Sequence, residues 1–475
     1  MKRRVMILIC LLLAALSCTA WAVGAEETAC HSQAELFQCG SLEAQDVVPG
    51  ELGLLDAEQS LVGVLVDGMK TKSDAIDVSA FNLIVDELKN EKGETIAWVG
   101  ADADKLKDAY AQAVNSHPEL VYVLSRYKMS GVYTYDRRIK ITAVSPQYDS
   151  YFTDEVMVQF EQAVAEARAL VAEEGLTDLE KALILHDYLV TQVTYNWEVD
   201  IALKTGESME QVELRTGTRI YTAYGALVEG DAVCQGYALA YKLLLDQCGV
   251  NSVLVSSDAM NHAWNLVEID GDWYHVDATW DDPVPDLPGY CGHKNFLRSD
   301  AGITGTKHYG WTTPDGITVS STEPEGLFRG TNNRMYYYEE SYYYLSIVGG
   351  RGSLYRADSL TDPEPETVQN NMSFFRHQFL DPEDGLYYSY PMYGVVWHEG
   401  ALYYVDSDKK MTCYSLTDGS SATLGDVPFE AADSADRMYD STQDAIGLYY
   451  DSQTGEIVAV SKTRPDTVLA RFQIK

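Results

Sequence analysis

Positive charge is scarce in this chain. Its 475 residues hold 35 Lys and Arg against 72 Asp and Glu, a formal charge of −37 at pH 7. Such a surface repels the phosphates of nucleic acid and of anionic lipid, so no nucleic-acid partner is expected. Long apolar runs are missing after residue 22, so no stable membrane insertion is expected from the later chain. Cysteine is sparse as well, with eight in all. A disulfide scaffold is excluded, because a chain of this length builds hydrophobic cores instead. The acidic balance suits solubility in a secreted protein. It would also draw Lys-bearing substrates.

The first residues carry the exception to the charge rule. Lys2-Arg3-Arg4 precedes an apolar run over residues 5–16, and Ala20-Trp21-Ala22 closes the segment. This pattern predicts a secretory signal peptide over residues 1–22, cleaved after Ala22. The run is short for a spanning anchor. Cys18 follows Ala15-Leu16-Ser17, which lacks the large aliphatic residue usual three positions before a lipidated Cys. The expected location is secreted or cell-surface, with a lipoprotein anchor as the alternative. Without those 22 residues, which hold three basic groups and no acids, the formal charge becomes −40. Six Cys then remain, of which Cys30 and Cys39 could close a small loop.

The chemistry centres on Cys234. It lies in Gly230-Asp231-Ala232-Val233-Cys234-Gln235-Gly236-Tyr237. Apolar residues at 233, 237, 244 and 248 predict a helix over 233–247, stopped by Gly249, with Asp231 as its N-cap. Cys234 then falls in the first turn, where free N–H groups and the positive dipole end favour a thiolate. The same N–H groups could hold an oxyanion. Gly236 is expected to leave room for a substrate backbone. A lone Cys is more often a buried structural residue. Here a His and an Asp follow it.

His262 opens a predicted strand over 262–269, and a second runs over 273–280, after an earlier one at 250–256. Asp270-Gly271 between the later two signals a tight hairpin. A two-residue loop pairs Ile269 with Asp272 and Trp264 with Asp277. His262 and Asp277 become diagonal neighbours on one face, within side-chain reach. A one-residue slip would separate them. Asp277 can then orient the His262 imidazole. His275 shares that face and is the rival base.

These residues resemble the transglutaminase-like superfamily. The resemblance rests on Tyr224-Gly225-Ala226-Leu227, Val233-Cys234-Gln235-Gly236-Tyr237, His262-Ala263-Trp264-Asn265 and Val276-Asp277-Ala278-Thr279-Trp280. It extends to an upstream helix over 180–193, opened by the capping box Thr177-Asp178-Leu179-Glu180 and followed by Thr194-Tyr195. It covers roughly residues 160–310, about a third of the chain. It implies a papain-like core with Cys234 as nucleophile, His262 as base and Asp277 as orienter. Members transamidate, deamidate or hydrolyse peptide amides, and some have lost activity. No calcium requirement carries over, and no cofactor or metal is expected. Tyr224 and Gln235 are the oxyanion candidates, since each donates a hydrogen bond. Each also has a plain reading, Tyr224 as core and Gln235 as a solvated helix residue.

Cys291-Gly292-His293 invites a metal reading, but two ligands adjacent in a loop do not make a site. It reads as loop.

The fold class expected is α+β. Residues 23–155 form an N-terminal α/β region, with a helix at 101–114, strands at 120–127 and 138–144, and a hairpin near Gly131. Residues 156–312 form the transglutaminase-like core. Residues 325–475 form an antiparallel all-β domain. Residues 329–475 hold 17 of the 33 Tyr. Three loosely alike units, 342–360, 401–416 and 447–474, resemble propeller blades but are too few to close a propeller. One antiparallel sheet or a sandwich is expected, with turns at Glu399-Gly400 and Gln453-Thr454-Gly455. The Tyr serve inter-strand packing or a surface for a cell-wall or cell-surface ligand.

The functional expectation is a secreted cysteine enzyme, an acyltransferase or cysteine peptidase, acting on a peptide or protein substrate. The alternative is a non-catalytic surface binding protein that keeps the fold and binds through its β domain.

Overall fold

The computed structural model describes residues 139–474 with short interruptions, the longest at 429–441, together with 103–133 and fragments at 55–60, 84–85, 88 and 96–97. The signal segment, Cys18, Cys30 and Cys39 lie outside the described residues. So does the turn between the first long strands.

The N-terminal part is a four-stranded antiparallel sheet of β1 (Leu55–Ser60), β2 (Ile96–Ala97), β3 (Val123–Tyr133) and β4 (Ile139–Tyr148), with helix α1 (Ala103–Ser116). Gly131 does not turn the chain. It sits inside β3, where the register against β4 slips between Ser130 and Gly131. A glycine inside a strand commonly marks such a bulge.

Two helices lead into the core, α2 (Asp154–Ala169) and α3 (Asp178–Gln192). Both halves of the expected capping box at α3 are present: the Thr177 side chain accepts from Glu180 N, and Glu180 Oε2 accepts from Thr177 N at 2.7 Å. Ala182, Leu185, His186 and Leu189 recur at helical spacing and are buried. After α3 comes the two-residue strand β5 (Thr194–Tyr195), parallel to β6 (Asp231–Ala232).

Helix α4 (Cys234–Gln247) is the centre of the molecule. Every residue from Gly236 to Leu245 is buried, as in a helix enclosed on all sides. Lys242 survives there because its Nζ donates to Asp246 Oδ2 and to the Ser252 carbonyl, both at 2.8 Å. Leu244 is fully buried, so its truncation to Ala costs about 2–5 kcal/mol. Asp231 is not the N-cap. It is spent in β6 and accepts from Asn196 Nδ2 at 2.6 Å, and Val233 takes the cap position without a side-chain bond.

Against α4 lies the antiparallel sheet β7 (Ser252–Ser257), β8 (His262–Ile269) and β9 (Asp272–Val276). The Asp270-Gly271 loop has two residues, with φ of 53° and 87°, as a type I′ turn requires. The expected register holds from Ile269↔Asp272 to Asn265↔Val276. The strand then ends at Val276, four residues earlier than its apolar pattern suggests. Asp277 leaves it to cap the short helix α5 (Ala278–Asp281), accepting from Thr279 N and Trp280 N. Helix α6 (Asp300–Gly305) follows.

The β region is not one sheet or a two-sheet sandwich. Its described residues form four small antiparallel sheets. The first is β10 to β13 (Tyr336–Tyr338, Ser341–Val348, Arg351–Ala357, Glu366–Ser373). The second joins β14 (Arg376–Leu380) and β15 (Tyr387–Pro391) to a later strand, β20 (Thr442–Gln443). The third is β16 to β19 (Val396–His398, Ala401–Val405, Lys410–Ser415, Ser421–Asp426). The fourth is β21 to β23 (Ile446–Asp451, Glu456–Ser461, Val468–Gln473). The reason lies in β17. Leu402 and Tyr404 pack toward the first sheet, with Leu345 and Leu354. Tyr403 and Val405 pack toward the fourth, with Ile457 and Ala459. A strand apolar on both faces needs a neighbour on each side. Both expected turns are present, between His398 and Ala401 and between Asp451 and Glu456. The Tyr pack between strands and sheets: Tyr344 stacks on Tyr355 at 5.0 Å, and Tyr336 on Trp397 at 5.1 Å.

The main buried cluster runs from Val121 to Leu360, so it includes Phe328 and Leu360 as well as α4. The Tyr342 hydroxyl donates to Glu180 Oε1, the free oxygen of the capping box. Asn333 Nδ2 donates to the Tyr393 carbonyl at 2.5 Å and the Gly289 carbonyl at 3.2 Å. Among the described residues, no helix is long and apolar enough to cross a membrane.

Candidate active site

Cys234 is the first residue of α4. No side chain caps this helix start, which leaves first-turn N–H groups free of a side-chain acceptor. His262 opens β8, and Asn265 in the same strand donates to the Ala238 carbonyl of α4 at 3.0 Å. That bond fixes β8 against the helix that carries the thiol.

His262 Nε2 lies 2.7 Å from Asp277 Oδ2, and both side chains are buried. The carboxylate divides its work. Oδ1 accepts from Thr279 N at 3.0 Å and Trp280 N at 3.2 Å. Oδ2 faces His262 and also His308 Nε2, at 2.8 Å. Burial alone would lower the His262 imidazole. The attraction of Asp277, its hydrogen bond, and the Cys234 sulfur outweigh burial and raise it to about 10. Burial would raise the Asp277 carboxyl, but His262 and His308 hold it well below the usual carboxylate range. His262 and Asp277 thus form one buried pair, and the Cys234 sulfur adds to the upward shift of the imidazole.

Aromatic rings set the imidazole's plane. Trp264 stacks on His262 at 5.7 Å and Trp280 lies over it at 5.2 Å. Trp280 also covers His308 at 4.3 Å, and it is 41% exposed, so it borders solvent beside the pair.

The other named residues have surroundings of their own. His275 is fully buried, accepting from Trp264 Nε1 at 2.9 Å and meeting Asp300 Oδ1 at 2.9 Å. It props the Trp that backs His262. Tyr224 is core: its hydroxyl meets that of Tyr151 at 3.3 Å, and its ring packs on Phe152 and Phe160. Gln235 borders a cavity lined also by Val114, His117, Asp149 and Leu239. Gly236 does not face a substrate. A Cβ there would meet the Ile220 carbonyl oxygen at 2.6 Å and the Ala232 Cβ at 2.9 Å, so the glycine lets α4 dock onto its own chain.

Sequence reasoning missed His308. It follows α6 at Lys307, whose φ is 78°, in a stretch with no periodic pattern. Nothing short of the fold brings it to Asp277. His262, Asp277 and His308 place three ligand-type atoms within 4.8 Å of one another, but Asp277 already joins the two imidazoles there.

Residues 167–278 match the family model of the transglutaminase-like superfamily. This stretch, from the end of α2 to the start of α5, is a transglutaminase-like domain. No curated protein matches the chain. Among solved structures, the chain is 14% identical to a TGase, with a TM-score of 0.22, covering 38% of this chain and 49% of that one. It thus spans about half the length of that protein. A computationally designed protein, Ika8, is 12% identical, with a TM-score of 0.16, covering 47% of this chain and 83% of that one.

Proposed function

We propose that the transglutaminase-like domain is the catalytic core of a secreted cysteine enzyme that acts on peptide or protein amides through a thioester. The observation that carries this reading is the 2.7 Å contact between buried His262 Nε2 and Asp277 Oδ2, with His262 in a strand bonded to the helix that Cys234 opens. In this reading the Cys234 thiolate attacks an amide carbonyl carbon, and a C–S bond forms. First-turn N–H groups of α4, with the Gln235 side chain as a candidate, receive the oxyanion. The His262 imidazolium gives its proton to the departing amine as the C–N bond breaks. Neutral His262 then takes a proton from water or a second amine, which attacks the thioester and displaces the sulfur. Asp277 keeps the imidazole's Nε2 proton in place throughout, leaving Nδ1 for the sulfur. Tyr224 has no part in it. The β region is the expected carrier of a cell-wall or cell-surface ligand.

The test is incubation of the full chain with a Gln-containing peptide, with and without a primary amine, read by mass spectrometry. Amine addition, deamidation and backbone cleavage each give a different mass. Any of them, lost in Cys234→Ala, supports the enzyme. No product, with Cys234 inert to a thiol probe at neutral pH, would leave the binding-protein reading.

A further inference from the structure

A second polar cluster lies under α3, and the thioester chemistry does not use it. His186 and Asp187 of α3 meet Cys291 and His293, which the sequence alone leaves in a loop. All four are buried, and one ligand-type atom from each lies within 4.8 Å of the other three. His186 Nδ1 is 3.0 Å from Asp187 Oδ1. His293 Nε2 is 2.7 Å from that same oxygen and 3.8 Å from Cys291 Sγ. Zinc bonds of about 2.0–2.3 Å in a tetrahedron imply ligand separations of roughly 3.3–3.7 Å. The observed separations bracket that range, so small side-chain shifts open the centre.

We propose that His186 Nδ1, Asp187 Oδ1, Cys291 Sγ and His293 Nε2 form a structural zinc site. The donor set selects the metal. A thiolate with two imidazoles and one carboxylate suits zinc, whereas calcium and magnesium want oxygen alone. Four buried protein ligands leave no position for water or substrate, which marks a structural centre. The surroundings fit as well. His186 Nε2 faces Asp281 Oδ2 at 3.2 Å, the carboxylate–imidazole support common behind metal-bound histidines. Asp281 is fixed in turn by Asn295 N at 2.9 Å and Asn295 Nδ2 at 3.0 Å.

The site would clamp α3 to the 291–295 loop and, through Asp281, to the helix that Asp277 caps. It is independent of the thioester reading, and its test needs no substrate. The full chain is incubated with Zn²⁺, dialysed and analysed for metal. About one zinc per chain is expected, falling at least ~5-fold in Cys291→Ser and in His293→Asn, and unchanged in His262→Asn. Co²⁺ in the same site should give a thiolate-to-cobalt charge-transfer band that Cys291→Ser removes. If those variants fail to fold, the wild-type chain decides: Cys291 should resist alkylation with zinc bound and label faster after chelation. A wild-type chain holding only trace zinc overturns the proposal. So does zinc content unchanged in folded Cys291→Ser, or lost in His262→Asn alone.

Discussion

Asp277→Asn separates a positioned imidazole from an idle one. The carboxylate makes four contacts, two per oxygen. An amide has one oxygen and one NH₂. If its oxygen keeps Thr279 N and Trp280 N, its NH₂ faces two imidazoles. His262 must then accept at Nε2, which moves its proton to Nδ1 and blocks it from taking one from sulfur. If the oxygen turns to the imidazoles, the NH₂ opposes two buried backbone donors, at about 1–3 kcal/mol for each unsatisfied group. The lost charge matters too. His262 stands at about 10, against 6.5 unpaired, and Asp277 supplies the largest upward pull. Losing roughly two of those pKa units is about 3 kcal/mol, or ~10²-fold. The wrong tautomer carries the loss toward ~10⁴, the size seen when a triad Asp becomes Asn. Iodoacetamide labelling of Cys234, mapped by peptide mass, needs no substrate. At pH 6.5 the variant should label ~10²-fold slower than wild type, with the gap closing above pH 10. Cys248 and Cys413, partly exposed, serve as internal standards. A variant that stays folded and labels within ~3-fold of wild type at pH 6.5 would refute the orienting role of Asp277.

Other outcomes follow from the same geometry. Cys234→Ala should drop turnover to background while the melting temperature stays within a few degrees, since a half-buried first-turn sulfur carries little packing; residual turnover in pure protein would remove Cys234 as nucleophile. His308→Asn takes one imidazole from Asp277 Oδ2 and should cut kcat ~10-fold with KM nearly unchanged, about the value of one charged hydrogen bond; an unchanged kcat and pH profile would make His308 packing alone. Gly236→Ala should destabilise by about 1–3 kcal/mol despite the better helix propensity of Ala, because its Cβ meets backbone at 2.6 Å; denaturant melts showing equal or higher stability would contradict that close approach. The His262 pair should lose its stabilising effect with rising pH. The folded pKa of about 10 lies above the unfolded 6.5, so the contribution is whole below about 6.5 and gone above about 10. The melting gap between wild type and His262→Asn should narrow across that window, and a constant gap would contradict it.

The pairing of His262 with Asp277 was legible because Asp270-Gly271 dictates a two-residue turn, and a turn sets register for every pair behind it. The end of β9 was not, since Val276-Asp277-Ala278-Thr279-Trp280 keeps strand-like residues while the Asp277 side chain turns the backbone into a helix. Gly236 and Asp231 share another limit. Each has a sensible local role, but a segment brought from elsewhere takes it over: Ile220 against the glycine, Asn196 on the carboxylate. The unit at 401–416 was legible as a strand pair, but not that β17 packs against a different sheet on each face. His308, His186 and Asp187 reach their clusters through tertiary folding, which no spacing rule encodes.

The bond from Tyr342 to Glu180 sets a timetable for the newborn chain. Glu180, in the first turn of α3, leaves the ribosome 162 residues before Tyr342. At about 5–20 residues per second, that is a wait of roughly 8–30 seconds. Phe328 and Leu360 arrive equally late to the cluster that encloses α4. Until then the most apolar helix of the molecule has no complete cover, and a chain stopped near residue 312 would stay in that state. The first sheet of the β region and its neighbours thus complete the cover of a core made before them. Closure of the thiol-bearing core therefore waits until residue 360 has been made, and until then the chain has no finished site.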